Sequence, residues 1–167
     1  MRSLVKRNKM SQLLSFQKSL WKEEGIINPE KASEDDISNF NKTNNILMPY
    51  ELNLYFKEIN GTSGEYDNKF FCFYSINNFK NIEEKFKEWD DETSFKQLSL
   101  YMNNSKKYYV FADYQCHLIA YAVLIDENHS DKNNVIAICG DTYKEISPSF
   151  MEFLRMYIDD DEKIYLN

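Results

Sequence analysis

Glycine, proline, cysteine and histidine are all scarce in this chain, and each shortage excludes something. Four glycines in 167 residues are too few for a glycine-rich loop that cradles phosphates, and no Ser or Cys sits in the context of a nucleophile elbow. Three cysteines, Cys72, Cys116 and Cys139, are odd in number and widely spaced, which is neither a disulfide framework nor a zinc site. Each lies in an apolar, strand-like run and is expected to be a buried, reduced thiol. Two histidines leave few routes to acid–base catalysis. His117 is expected to begin an apolar strand. His129 stands beside Glu127 and Asp131 in a polar loop, where such residues commonly bind nothing. No run approaches the roughly 18 uninterrupted apolar residues of a membrane span. Gln12, Gln17 and Lys18 interrupt the amino-terminal segment, which makes a poor signal peptide. The expected setting is cytoplasmic, with no cofactor, no metal and no membrane contact.

Basic charge is also in short supply. The chain holds 20 basic against 27 acidic residues, net −7. Arg2, Lys6, Arg7 and Lys9 place +4 in the first ten residues, so the remainder carries −11. Such a body argues against direct nucleic-acid binding, since phosphates demand a basic surface. It suits a basic protein partner, because opposite fields speed encounter, although acidity also serves solubility alone. Glu34-Asp35-Asp36 is explained by a helix start, where negative charge is favourable. Asp90, Asp91 and Glu92, and likewise Asp159, Asp160 and Asp161, have no such explanation in the sequence. They are the candidate partner-facing residues, with an ordinary solvated charge run as the competing account. Asp113 and Asp141 each follow a predicted strand, where an acid/base pair can sit, but strand ends also favour Asp for turn chemistry. No catalytic residue is assigned, and nothing in the chain reads as an enzyme.

Aromatic residues are abundant, Tyr 12 and Phe 12, which favours sheet-rich packing. Residues 1–32 form a helical extension in which Leu13, Phe16 and Leu20 are helically spaced, Leu14 and Trp21 lie alongside, and Gly25 ends the run. Its stripe is expected to pack on its own domain, with a dimer or partner contact as the alternative. Ser33 and Asp36 resemble a capping box for a helix presenting Ile37 and Phe40, and Asn44-Asn45 is a linker. Pro49 reads as the first residue of a short helix in which Leu52, Tyr55, Phe56 and Ile59 share one face, stopped by Asn60-Gly61. Phe70 to Ile76 predicts a strand. Phe79, Ile82, Phe86 and Trp89 mark a helical face closed by Asp90, and the class of Thr93 to Met102 stays open. Lys107 to Ala112, His117 to Ile125 and Asn134 to Cys139 predict three strands joined too closely for crossover helices, hence an antiparallel meander. Ser147 as cap and Pro148 as first residue open a last helix that buries Phe150, Phe153, Leu154, Tyr157 and Ile158. The expected fold is α+β, helices packed on an antiparallel sheet, with the main domain spanning 33–167.

The run Met48-Pro49-Tyr50 to Tyr55-Phe56, ending in Asn60-Gly61, resembles the signature of the SUKH superfamily, a Leu/Met-Pro followed by a tyrosine-bearing helix that stops at Asn-Gly. Ser33 to Phe40 is similar to that family's first helix. Tyr109 to Tyr114, with Phe111 and Asp113, looks like its central strand ending in an acidic turn, and His117 to Ile125 like the strand that follows. Ile146 to Leu154, with Ser149, Phe150 and Phe153, resembles its closing helix. Met48 replaces the usual leucine, and Thr62 follows the Asn-Gly where another glycine is usual. The resemblance runs from near Ser33 to about Asp159. It implies a SUKH-like α+β fold and a non-catalytic protein-binding role. Foremost is an immunity protein that neutralises a cognate polymorphic toxin domain of basic character, such as a nuclease. The alternative it implies is an intracellular regulatory or scaffolding module like the fungal regulators of cell-wall assembly.

Overall fold

Pairing around one central strand sets the architecture of the computed structural model, which describes residues 2–126 and 132–166. Strand β3 (Tyr108–Tyr114) lies between β1 (Phe71–Phe73) and β4 (Ile119–Leu124), and the two-residue β2 (Lys80–Asn81) also pairs with it. Beyond β4 follow β5 (Val135–Cys139) and β6 (Thr142–Ser147), every pairing antiparallel. Six α-helices accompany the sheet among the described residues: α1 (Arg2–Glu23), α2 (Glu34–Asn44), α3 (Tyr50–Glu58), α4 (Ile82–Glu88), α5 (Glu92–Ser99) and α6 (Phe150–Ile158). This is the α+β meander expected from the sequence.

Alternation along the strands gives the sheet two buried faces. Phe71, Phe73, Tyr109, Phe111, Tyr121 and Val123 share a large core with residues of α1, α2, α3 and α6. Cys72, Tyr74, Val110, Ala120, Ala122 and Ile136 face the other way, toward Ile82 and Phe86 of α4 and Leu98 of α5. A bulge in β3 between Val110 and Ala112 breaks the alternation. Phe111 and Ala112 therefore both enter the large core. Asp113 is delivered to the second face, in register with Cys72 on one side and Ala120 on the other, because one extra residue inverts the facing of all that follow.

The structure corrects several details. The stripe α1 buries is Met10, Leu14, Gln17 and Trp21, offset from Leu13, Phe16 and Leu20, and Phe16 is exposed. β1 is only three residues long: Phe70 adopts φ 66, and after Tyr74 the chain turns into a 3-10 segment, Ile76–Asn78. Asp113 belongs to β3, and the turn follows at Gln115 to His117, all left-handed. His117 lies in that turn rather than at the start of β4. The segment of open class is α5. Asp91 caps it by accepting from the Ser94 amide at 3.4 Å, and Glu92 is its first-turn acid. Two of those three acids thus meet a helix amino terminus, where their charge is favourable. Ser149, not Ser147, caps α6, and Pro49 precedes α3 as its N-cap. β6 had no strand signal because Thr142 to Glu145 are all exposed and show no alternation. Of the thiols, Cys72 is buried, but Cys116 is exposed in the left-handed turn and Cys139 is intermediate. His129, Glu127 and Asp131 lie outside the described residues.

The buried tyrosines make alkaline stability predictable. Burial pushes the phenols of Tyr55, Tyr74, Tyr121 and Tyr157 above their ordinary value of 10.0. A phenol whose pKa is higher in the folded than in the unfolded chain contributes stability below the unfolded pKa and loses it as pH climbs beyond. Unfolding in base is expected to begin above pH 10, with part of the tyrosinate absorbance appearing in one step together with loss of circular dichroism. A gradual, independent rise for all tyrosines would contradict this.

Candidate functional site

The second sheet face is incompletely covered where β1 ends, which leaves a polar cavity of about 640 Å³. β1 and the residue after it supply Cys72 and Tyr74, the preceding loop Gly64 and Tyr66, β3 Asp113, α4 Lys85 and Glu88 with Trp89 just beyond, and the β3–β4 turn His117. The bulge puts Asp113 at the floor, fully buried. Its Oδ1 accepts from the Tyr66 hydroxyl at 2.7 Å and the His117 amide at 3.0 Å, and Oδ2 accepts from the Tyr74 hydroxyl. Three donors make its burial tolerable. Burial, and after it the hydrogen bond to Asp113 and the Asp113 charge, raise the pKa of both tyrosines, so each remains a donor.

Lys85 is the least ordinary residue here, with a side chain only 2% exposed. Its Nζ lies 3.3 Å from Glu88 Oε2 and 4.2 Å from the centre of the Tyr74 ring. Glu88 Oε2 also meets Lys80 at 3.1 Å. Burial lowers the Lys85 pKa, with the Glu88 charge opposing it. For Glu88 burial works against ionisation, but the hydrogen bond from Lys80 and the charge of Lys85 outweigh it and hold the carboxyl below its usual range. At the rim Trp89 stacks on His117, centroids 4.2 Å apart and planes 14° from parallel. The Cys72 thiol is pushed up to about 11 by burial, against a hydrogen bond from Thr62, and is no nucleophile near neutrality.

Lys85→Met gives the pair a direct test. Glu88 keeps Lys80 and stands 39% exposed, and buried Asp113 keeps its three hydrogen-bond donors, so removing the lysine strands neither carboxylate, while methionine fills similar apolar volume. Stability is expected to stay within about 1 kcal/mol of the parent or to rise, read by denaturant unfolding; a loss of several kcal/mol would show the ion pair to be structural.

A second polar cluster is architectural. Asp67 accepts from the amides of Lys69 and Phe71 at 2.9 Å, from Trp21 Nε1 at 3.3 Å and from the Tyr157 hydroxyl, which pins the loop before β1 to α1 and α6. Glu51 does the same for α3: it pairs with Lys6 at 2.9 Å and accepts from the Met151 amide at 2.9 Å, so α1 and α6 clasp the proline-motif helix.

Of the residues singled out in the sequence, Met48, Tyr55, Phe56, Phe111, Phe150 and Phe153 are buried in the large core. Tyr50 is partly exposed and accepts from Arg7 Nε at 2.8 Å. Asn60, left-handed at φ 61, donates to the Glu30 carbonyl at 2.6 Å and accepts from the Ile76 amide at 2.8 Å. Gly61 adopts φ 94. Asp141 lies in the exposed β5–β6 turn, past the end of a strand that is itself two strand spacings, roughly 10 Å, from β3, so these carboxylates form no pair. The acidic clusters flank the β3–β4 turn. Asp90 and Asp91 follow Trp89, which stacks on His117. Asp160 accepts from the Tyr165 hydroxyl at 3.2 Å, and Tyr165 packs edge-on against Tyr114. Asp159 pairs with Arg155 at 2.8 Å, and Asp161 caps the following 3-10 turn, accepting from the Lys163 amide at 3.0 Å. Among the described residues no helix is long and apolar enough to cross a membrane, and no three His, Cys, Asp or Glu side chains group as metal ligands would.

Sequence reasoning missed Lys85, Glu88, Tyr66 and Tyr74. One signal was present: Ile82, Lys85, Phe86 and Trp89 are i, i+3, i+4 and i+7, so the lysine stands in register with an apolar stripe. Fold and site together describe an antiparallel α+β domain whose proline-led helix is clamped against its closing helix, with a polar cavity on the opposite sheet face. Residues 31–156 match the model of the SMI1 / KNR4 family (SUKH-1), and the chain belongs to that family. Comparison with curated proteins finds no match.

Proposed function

We propose that this chain is an immunity-type module: a non-catalytic cytoplasmic protein that binds a cognate toxin domain of basic character and holds it inactive. Membership of the SUKH-1 family across residues 31–156 carries the reading. The −11 charge of the chain beyond its first ten residues supports a basic partner. The two acidic clusters, Asp90-Asp91-Glu92 and Asp159-Asp160-Asp161, lie on either side of one turn and supply the long-range attraction, which ionic strength weakens.

Affinity capture of the tagged protein from its source cells, with mass spectrometry of what co-purifies, tests this. The expected result is one large protein with a variable C-terminal domain whose toxicity is relieved by co-expression of this chain. Failure to bind such a domain, or to protect a host expressing it, overturns the reading. Recovery of envelope-assembly proteins instead makes the chain a regulatory module like the fungal branch.

A further inference from the structure

We propose that the cavity between α4 and the β1–β3 edge is a receptor for a single cationic side chain, arginine or lysine, projected by the protein partner. The proposal rests on the immunity reading for the identity of that partner, and on the cavity alone for its chemistry.

Three features of the cavity select a cation. Its lining carries two carboxylates, Asp113 and Glu88, against one ammonium, Lys85, while Lys80, outside the lining, shares Glu88 Oε2 with Lys85. An anion would meet both carboxylates and find only a lysine already engaged by Glu88 at 3.3 Å. The walls are aromatic, with Tyr66, Tyr74 and Trp89 in the lining, and aromatic rings attract cations. The cavity also already holds one cation by this means. Lys85 Nζ is kept from water by the Tyr74 ring at 4.2 Å and by Glu88. Lys85 closes the floor, whereas Tyr66, 36% exposed, and the exposed Glu88 stand at the opening beside half-buried Trp89. A second cation entering there meets the indole and the Glu88 carboxylate, which it shares with Lys80, before it meets Lys85. The volume of about 640 Å³ lies within the range of roughly 300–1,000 Å³ typical of ligand sites. A planar guanidinium suits both a ring face and a carboxylate.

The location agrees with the chemistry. The cavity opens beside the β3–β4 turn, which both acidic clusters flank, so long-range attraction and short-range recognition fall on one end of the molecule.

The test uses the full-length protein and the reporter it already contains. Of its two tryptophans, Trp21 is fully buried in the large core and Trp89 lines the cavity, so fluorescence that responds to a cavity ligand comes from Trp89. N-acetylargininamide is titrated against its neutral isostere N-acetylcitrullinamide. The expected result is a saturable change with the arginine probe and binding about tenfold or more weaker for the citrulline probe. Glu88→Gln is expected to weaken the arginine probe several-fold, and Lys85→Met, which removes the like charge, to tighten it, with circular dichroism confirming that both variants fold. A filled or purely structural cavity gives no saturable change, or equal responses to the two probes. Either result overturns the proposal, as does unchanged or weaker arginine binding to Lys85→Met.

Failure here and failure of the immunity reading separate cleanly. A captured toxin domain that binds Glu88→Lys as tightly as the parent overturns the cavity assignment and leaves the immunity reading standing. Saturable arginine binding without any toxin recovered supports the cavity's ligand class and removes only the proposed partner.

Discussion

Gly61→Ala is expected to lower the stability of this domain by about 2–5 kcal/mol. Two independent costs add. Gly61 adopts φ 94, a region that costs an L-residue about 1–2 kcal/mol. A β-carbon there would also lie 2.7 Å from the Phe73 carbonyl oxygen and 2.8 Å from the Ser75 nitrogen and the Tyr74 carbonyl carbon. All three are backbone atoms, so no side-chain rotation relieves the overlap, and overpacking of this kind costs about 1–3 kcal/mol. The strand cannot easily retreat. Thr62 donates to the Phe73 carbonyl at 3.0 Å, Tyr74 donates to the Phe111 carbonyl at 2.8 Å, and the Gly61 carbonyl accepts from Asn28 at 2.8 Å. Gly25 is the control: its φ is 82, but a β-carbon there meets nothing within 4 Å, so Gly25→Ala should show the conformational cost alone. Denaturant unfolding of both variants measures the difference, and equal losses at the two positions would show that the strand yields. Because the displaced backbone carries Tyr74 into the cavity, Gly61→Ala is also expected to perturb Trp89 fluorescence in the folded state.

Elements whose character is local were legible in the sequence, and elements decided by strand pairing were not. The capping box at Ser33 and Asp36 forms as read, with the Asp36 amide donating to Ser33 Oγ at 3.1 Å and the Ser33 amide to Asp36 at 2.8 Å. The Asn60-Gly61 stop also forms, because left-handed φ depends on residue type before anything else. β6 was invisible because its exposed residues carry no alternation; it is a strand only because β5 offers it an edge. The β3 bulge was equally hidden. Nothing in Tyr109 to Tyr114 announces that Phe111 and Ala112 will both face the large core. Read with strict alternation, Asp113 would share the face of Tyr109 and Phe111; it read as a turn residue because the strand was predicted to end at Ala112. The offset of the α1 stripe has another origin. Gln17 belongs to the buried face since it reaches the Tyr157 hydroxyl, at 3.4 Å, and a polar residue within a stripe shifts the periodicity a reader assigns.

The candidate site was legible in one residue and one pattern. Asp113 was noticed for its place in the family-like strand, and Lys85 stands within the Ile82–Trp89 stripe. Neither implied the other, since they meet across α4 and β3 through Tyr74, whose hydroxyl donates to Asp113 while its ring lies against Lys85. A tyrosine serving both a carboxylate and an ammonium is a tertiary arrangement with no counterpart in spacing. The acidic clusters show the reverse. They were prominent in the sequence, yet several of their carboxylates carry local structural duties, Asp91 and Asp161 as caps and Asp159 as the partner of Arg155.

Phe56→Ala is expected to cost about 3–5 kcal/mol, the range for truncating a fully buried phenylalanine. Phe56 is 0% exposed, and its ring lies 4.9 Å from that of Tyr55 and 5.0 Å from that of Phe79. Phe79 in turn contacts Phe40 of α2 and Tyr109 of β3. The cavity left by truncation would therefore be walled by rings contributed by α2, α3 and the sheet, and rigid aromatic walls collapse poorly, which places the cost toward the upper end of the range. Tyr50 on the same helix is 39% exposed, so Tyr50→Ala should fall within about 1 kcal/mol of the parent. The contrast, measured by denaturant unfolding of both variants, isolates the buried face of α3 from its helical propensity. The effect should also reach the second sheet face, because the neighbouring Tyr55 hydroxyl donates to the Tyr74 carbonyl at 2.8 Å and Tyr74 lines the cavity. If the two variants lose similar stability, α3 is not seated by Phe56, and the clamp formed by Glu51, Lys6 and the start of α6 must hold it instead.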